Sequence, residues 1–109
     1  MSSRRGNGRE NRVRDLMADQ GWFAMCGRAS AGPADVLAVK DGERPRLIQV
    51  KSTAGGPYER FGPAERRELV EAAVTAGGIA VLAWWPPRAR APRWIRWHDW
   101  PPPKTEKVA

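Results

Sequence analysis

The sequence has little that would support a disulfide-bonded, zinc-binding or membrane-inserted protein. It contains a single cysteine, Cys26, and a single histidine among 109 residues. One cysteine excludes an internal disulfide and cannot hold zinc alone, and we expect a buried, unreactive thiol within a strand. No apolar run reaches the roughly 18 residues of a membrane span, and the first residues lack the apolar segment of a signal peptide. We therefore expect a cytoplasmic protein without a membrane partner.

What the sequence has in excess is positive charge. It carries 19 basic and 12 acidic residues, a formal net charge of +7. This balance favours a polyanionic partner, and nucleic acid is the leading candidate. The length suits one small domain. We expect a basic, flexible arm at residues 1–8, a single domain at 9–100 and a polar tail at 101–109. Candidate phosphate contacts near the two ends are Arg4, Arg5, Arg9, Arg88, Arg90, Arg93 and Arg96.

The spacing of apolar residues predicts two helices and five strands. We expect helices at 10–20 and 63–76, and strands at 22–26, 35–39, 47–52, 79–85 and 93–98. The third strand is followed by a helix and then by a wholly apolar strand, which predicts a crossover that places these two strands in parallel. The fold class is therefore α/β, with a small mixed central sheet flanked by helices. No internal repeat is visible.

Polar residues meet at one end of a predicted hairpin. The turn residues 41–45 connect the second and third strands. Folding these strands together places Asp35 opposite Gln49 and Lys51, within about one residue of register. Gln49 and Lys51 share one strand face because strand side chains alternate. A carboxylate, an amide oxygen and an ammonium group thus converge.

This cluster has the groups that phosphodiester cleavage requires. A divalent ion polarises the phosphoryl group and activates water, and hard oxygen ligands hold it. Asp35, the Gln49 side-chain oxygen and the Val50 carbonyl are the candidate ligands, and Lys51 is placed to stabilise developing charge. Glu10, at the edge of the apolar stripe of the first helix, is a further candidate ligand. The alternative is structural: an Asp35–Lys51 salt bridge capped by Gln49, with Glu10 as a first-turn acid that favours the helix dipole.

The order of these motifs resembles a known nuclease family. Asp35, followed after a hairpin by Gln49-Val50-Lys51 and then a helix, is similar to the PD-(D/E)xK motif. The chain resembles more closely the archaeal Hjc-type Holliday-junction resolvases and their viral relatives, over roughly residues 5–97. The runs that carry this resemblance are Arg5-Gly6 to Glu10, Arg28-Ala29-Ser30-Ala31-Gly32, Pro33-Ala34-Asp35-Val36 and Ile48-Gln49-Val50-Lys51.

The resemblance implies a restriction-endonuclease-like fold and an Mg²⁺-dependent endodeoxyribonuclease, with Mn²⁺ as an alternative ion and no small-molecule cofactor. It also implies a homodimer with two sites, four-way DNA junctions as substrate, and a prokaryotic or virus-infected host cell. The implied site residues are Glu10, Ser30, Asp35, Gln49 and Lys51. Gln49 stands where the family has glutamate, so we expect weaker metal binding rather than loss of activity.

Loops and aromatic residues add candidate DNA contacts. Arg28, Tyr58, Arg60 and Phe61 lie in two loops beside the polar cluster, and the aromatic pair could insert at the branch point of a junction; a solvated linker is equally compatible. Of six tryptophans, we assign Trp22, Trp84 and Trp85 to the core. Trp94, Trp97 and Trp100 are harder to bury together, and we assign those that remain exposed to a dimer interface, with base stacking as the rival.

Three other functions stay open at this point. The first is a nuclease for flaps, nicks or other branched DNA. The second is a non-catalytic, basic DNA-binding module whose site is degenerate, as Gln49 would indicate. The third is an RNA-binding protein that uses its tryptophans as a stacking platform.

Overall fold

Two helices and a five-stranded sheet make up the structure, a computed structural model that describes residues 3–27 and 33–101, with side chains from residue 8 onward. The helices are α1 (Ser3–Asp19) and α2 (Pro63–Ala76). The strands are β1 (Phe23–Cys26), β2 (Val36–Val39), β3 (Arg46–Ser52), β4 (Ile79–Trp85) and β5 (Arg93–Arg96). A short 3₁₀ helix follows at Trp97–Asp99.

The sheet is mixed, and its strands lie side by side in chain order. Strands β1, β2 and β3 form antiparallel pairs, β3 and β4 run parallel through the α2 crossover, and β5 returns antiparallel to β4. The predicted α/β class and the parallel crossover are confirmed. The parallel pair places the carboxyl end of β3 beside the carboxyl end of β4 and near the start of α2.

Helix α1 covers one face of the sheet, the α1 face. Val13 and Met17, one turn apart on the helix, pack on Val36, Ile48 and the neighbouring residues of β4. Val13, Val36 and Ile48 are almost completely buried. This packing fixes the rotation of α1 about its axis and brings Glu10, one turn before Val13, toward the start of β2.

Helix α2 covers only part of the opposite face, the α2 face. Leu69 and Ala73 of the helix pack on Leu47 and Leu82 of the central strands. The helix begins with Pro63, which suits a first helical position, and it ends at Gly77, whose left-handed backbone (φ 69°) closes the last turn on the carbonyls of Ala73 and Val74. The packing leaves the outer strands β1 and β2 uncovered on this face.

A patch of four apolar side chains therefore faces solvent on the α2 face. Phe23 pairs with Val39 and Met25 pairs with Leu37 across β1 and β2. Phe23 is 65 % exposed and Met25 45 % exposed, with Leu37 and Val39 somewhat less so. We call these four residues the β1–β2 patch. Such a group of exposed apolar residues is typical of an interaction surface.

Element boundaries differ from the sequence prediction by more than one residue at two places. Helix α1 begins at Ser3 rather than near Glu10, so most of the predicted arm at 1–8 has a helical backbone. The first two turns lack apolar residues, and extending an existing helix is easier than starting one. Strand β5 ends at Arg96, where Trp97 begins the 3₁₀ helix. Within the described ranges, no helix combines the length and apolar character needed to cross a membrane.

Candidate active site

Asp35 is held by both its main chain and its side chain. Its backbone N–H donates to the Ile48 carbonyl (2.8 Å), which continues the β2–β3 ladder beyond the end of β2. Its Oδ2 then accepts from the backbone N–H of Val50 (2.9 Å) and from Nε2 of Gln49 (2.8 Å). The Asp35 side chain thus accepts a hydrogen bond from the backbone N–H of Val50 in β3, at a position where β2 no longer supplies a backbone partner. The predicted convergence of Asp35 and Gln49 is present, and it fixes the carboxylate in one place.

Lys51 reaches a partner that the sequence prediction did not include. It lies on the same face as Gln49, and its Nζ is 3.7 Å from Oε1 of Glu65, in the first turn of α2. The Lys51 side chain is 19 % exposed and that of Glu65 is 55 % exposed. The expected Asp35–Lys51 salt bridge of the structural alternative is therefore replaced by a Lys51–Glu65 pair. The sequence signal for Glu65 was an acidic residue two positions after the helix-starting Pro63.

Two carboxylates of the site have raised pKa values. Burial raises the pKa of Asp35; the hydrogen bond from Val50 and the charge of Lys51 oppose this rise, and the charge of Glu65 adds to it. Burial also raises the pKa of Glu10, and the negative charge of Asp35 raises it further. Glu10 thus responds to the charge of Asp35, and its role as a ligand stays a prediction.

The donors of the site suit a weakly held, hard divalent cation. A cation near Glu10 and Asp35 would relieve the repulsion between these carboxylates. In the described part of the chain, however, no three histidine, cysteine, aspartate or glutamate side chains lie close enough to hold a metal ion. Gln49 presents its nitrogen to Asp35, so its amide must turn over before its oxygen can serve as a ligand. A divalent ion at this place would therefore keep several water ligands.

Of the predicted DNA contacts, one is wrong. Phe61 is fully buried in the α2 face cluster, where its ring meets Trp100 edge to face at 5.0 Å between centroids. Phe61 cannot insert into DNA, because the glycine-rich loop after β3 places its side chain in the core just before α2 begins. Tyr58 is half-buried beneath the guanidinium of Arg66, at 5.4 Å from the ring centre. Arg60 is exposed.

The other predicted contacts are only partly within the described residues. Arg9 lies on α1 with its guanidinium 4.5 Å from the ring centre of Trp85, which holds this cation at the end of the α1 face. The side chains of Arg4 and Arg5 lie outside the described set, as do Arg28 and Ser30. Their roles stay predictions.

The loop from β3 to α2 is attached to the sheet close to the site. The indole Nε1 of Trp84 donates to Thr53 at its Oγ1 (3.0 Å) and its carbonyl (3.2 Å). The backbone N–H of Gly55 donates to a carboxylate oxygen of Glu59. These bonds position the segment after Lys51 and so define one wall of the site.

The three tryptophans assigned to the core are found there, and Trp100 joins them. Trp22, Trp84 and Trp85 pack in or against the core, and Trp85 is buried. Trp100 is also buried, and its Nε1 donates to the Ile95 carbonyl (3.1 Å). The short 3₁₀ helix redirects the chain after Arg96 and makes this burial possible. Trp94 and Trp97 are each 40 % exposed.

Comparisons with known proteins agree with this geometry. The solved structure of Hjc from Archaeoglobus fulgidus, a Holliday junction resolvase from an archaeal hyperthermophile, superposes with a TM-score of 0.69 at 25 % identity, covering 84 % of this chain and 77 % of the other. The likeness confirms the restriction-endonuclease-like fold. No curated protein sequence matches. The family model for archaeal Holliday junction resolvases (Hjc) matches residues 1–102. With nearly the whole chain matched, and with Asp35, Gln49 and Lys51 placed at the end of the β2–β3 hairpin, the chain belongs to the archaeal Holliday junction resolvase (Hjc) family of DNA recombination and repair nucleases.

Proposed function

We propose that this protein is a metal-dependent endonuclease that resolves four-way DNA junctions by paired phosphodiester hydrolysis in a homodimer. The observation that carries the proposal is the anchoring of Asp35 by Gln49 and Val50 beside Lys51, in a chain of the Hjc family. A carboxylate fixed by two hydrogen bonds, with a lysine on the neighbouring strand β3, is an arrangement suited to hydrolysis of a phosphodiester.

The residues of the site would have two roles: several would bind a metal ion, and Lys51 would stabilise developing charge. Asp35 and Glu10, with the Gln49 oxygen and the Val50 carbonyl, would hold Mg²⁺ or Mn²⁺. The bound ion would supply polarisation of the phosphoryl group and activation of water. Lys51, mostly buried, would keep its ammonium next to the scissile phosphate and stabilise charge that develops there. Ser30 is assigned to the site by family resemblance alone.

Binding of the DNA backbone rests on positive charge. Arg9 and Arg60 are candidate phosphate contacts, together with Arg4, Arg5 and Arg28, and Tyr58 lies near Arg60 in the loop after β3. Contacts to phosphates give affinity without sequence choice, so selectivity for junctions would come from the shape of the DNA. The net charge of +7 supports this mode of binding.

A homodimer would set the distance between two active sites. The β1–β2 patch supports a second copy of the chain as its partner, because a pair of such patches would cover the four exposed apolar side chains. A cytoplasmic location is part of the same proposal, since the substrate is intracellular DNA.

The decisive experiment is cleavage of a labelled, immobile four-way junction. Wild type, Asp35→Asn and the control Asp41→Asn, which changes an exposed turn residue, are compared in Mg²⁺, Mn²⁺ and EDTA. We expect paired nicks near the branch point that need both metal and Asp35 and that Asp41→Asn leaves unchanged.

Competing substrates separate the alternatives. Preferred cleavage of flap or nicked DNA over the junction would show that the protein is a nuclease for other branched DNA rather than a resolvase. Tight junction binding without cleavage in either metal would establish the binding module that the uncharged Gln49 suggests. Affinity that follows single-stranded RNA and ignores metal would favour the RNA-binding alternative.

A further inference from the structure

Glu65 occupies an unusual place beside the candidate active site. It lies in the first turn of α2, which begins where the loop from β3 ends, and its carboxylate is 3.7 Å from Nζ of Lys51. Lys51 shares the α2 face with Gln49, whose amide contacts Asp35. Glu65 therefore approaches the polar cluster from the side opposite to Glu10, which belongs to α1.

We propose that Glu65 supplies the metal site with the negative charge that Gln49 lacks, acting on the ion through its water ligands. This inference rests on the proposed function and names a residue of the same site. It follows from three placements: an amide rather than a carboxylate on β3, a carboxylate on the adjoining helix, and a shared lysine between them.

Charge balance explains why a second carboxylate is needed on this side. Asp35 carries one negative charge and Lys51 one positive charge, so with a neutral Gln49 the residues of the hairpin itself contribute no net charge to the site. Glu65 restores one negative charge there, and Glu10 adds another from α1.

The geometry favours an indirect contact. Direct coordination by three carboxylates is absent among the described residues. The Glu65 side chain is half-exposed, so it is free to turn from Lys51 toward the water shell of an ion. Mg²⁺ keeps several water ligands, and a carboxylate that bonds those waters stabilises the ion without touching it. Release of Lys51 from its pair with Glu65 would then accompany metal binding.

A purely structural role makes a different prediction. An acidic residue in the first helical turn stabilises the helix through its dipole, and the pair with Lys51 contributes little because its Glu65 side is half-exposed. In that case Glu65 would affect the stability of the metal-free protein and leave metal affinity unchanged.

Mn²⁺ binding to the full-length chain tests the proposal independently of activity. The dissociation constant is measured by isothermal titration calorimetry for wild type, Glu65→Gln and the control Glu71→Gln, an exposed glutamate farther along α2. We expect Glu65→Gln to weaken binding by roughly 10- to 100-fold, the usual range for residues that support metal ligands. Glu71→Gln leaves it unchanged. The double variant Gln49→Glu/Glu65→Gln, which moves the charge back to β3, recovers the lost affinity.

The remaining outcomes distinguish this inference from the function on which it rests. If Asp35→Asn abolishes Mn²⁺ binding while Glu65→Gln binds like wild type, the inference is wrong and the metal site stands. If Asp35→Asn also binds Mn²⁺ like wild type, both the proposed metal site and the proposed role of Glu65 are wrong. A lower melting temperature of Glu65→Gln in EDTA, with unchanged affinity, would assign Glu65 to helix stability alone.

Discussion

At the scale of single residues, Gln49 has two opposed effects. Its amide donates to Asp35 and so holds the carboxylate in place without a metal ion. The same amide removes a negative charge that would attract a cation. The residue thus stabilises the metal-free site at the expense of metal affinity, and the two effects can be measured separately.

We predict that Gln49→Glu destabilises the metal-free protein and strengthens metal binding. The substitution replaces a hydrogen bond of 2.8 Å by two facing carboxylates. Loss of a partly buried, charge-assisted hydrogen bond costs on the order of 1–3 kcal/mol. The melting temperature in EDTA should therefore fall, and the rise in melting temperature on adding Mn²⁺ should exceed that of wild type.

Gln20→Glu is the matched control, because it makes the same chemical change at an exposed position at the end of α1. It should alter neither quantity appreciably. Equal metal-induced shifts for wild type and Gln49→Glu would show that position 49 does not contribute to metal binding.

Cys26 provides a second prediction at this scale. Its thiol is half-buried rather than buried as expected, it donates to Oδ1 of Asn11 (3.4 Å), and its pKa is raised, chiefly by burial. The reactive thiolate is therefore scarcer in the folded protein at neutral pH. We predict that iodoacetamide modifies Cys26 more slowly in the native protein than in urea. Because the pKa is higher in the native protein, its alkylation rate should still rise with pH where the rate in urea has reached its plateau. Native alkylation as fast as in urea, measured by mass spectrometry, would contradict this.

At the scale of elements, Leu69 is the largest buried side chain that attaches helix α2 to the sheet. Leu69 is fully buried against β3 and β4, whereas Val74, later in the same helix, is 68 % exposed. We predict that Leu69→Ala lowers the free energy of unfolding by about 2–5 kcal/mol, because it leaves a cavity in the α2 face cluster. Val74→Ala should change it by less than about 0.5 kcal/mol. Urea denaturation measures both, and similar midpoints for the two variants would refute this assignment of the α2 core.

Elements with a strong local pattern could be predicted from the sequence. The alternation in β2 and β3, the turn between them, and the apolar β4 after a helix determine strand order and direction. The start of α1 could not be predicted, since its first turns carry no apolar residue. The end of β5 was also missed, because the alternation continues through Trp97 while the backbone turns at that point.

The candidate site was predictable where it depends on strand register and unpredictable where it depends on packing between elements. Asp35 and Gln49 meet because two neighbouring strands pair. Glu65 meets Lys51 only through the position of α2 on the sheet, which no local pattern reveals. Phe61 looked like a loop aromatic, and only the space left between α2 and Trp100 explains its burial.

At the scale of the whole molecule, the β1–β2 patch leads to a prediction about assembly. We predict that the wild-type protein is a dimer and that Phe23→Glu makes it a monomer, because a charge at the patch cannot be buried against a second apolar surface without a large cost. Sedimentation velocity gives the mass of each variant.

Val74→Glu is the control for this experiment, since Val74 is as exposed as Phe23 but lies on α2, away from the patch. It should remain dimeric. A monomeric wild type, or a dimer that tolerates Phe23→Glu and dissociates with Val74→Glu, would exclude the patch as the interface.

The order of the strands also bears on how the chain acquires its structure. Each strand pairs with the one synthesised just before it, so the sheet can grow by adding one strand at a time as the polypeptide leaves the ribosome. The exception is Trp100, which must return to cover Phe61 after all five strands are in place. Until that indole emerges, Phe61 lacks one of its core neighbours, and the nascent chain presents an incomplete hydrophobic core on the α2 face.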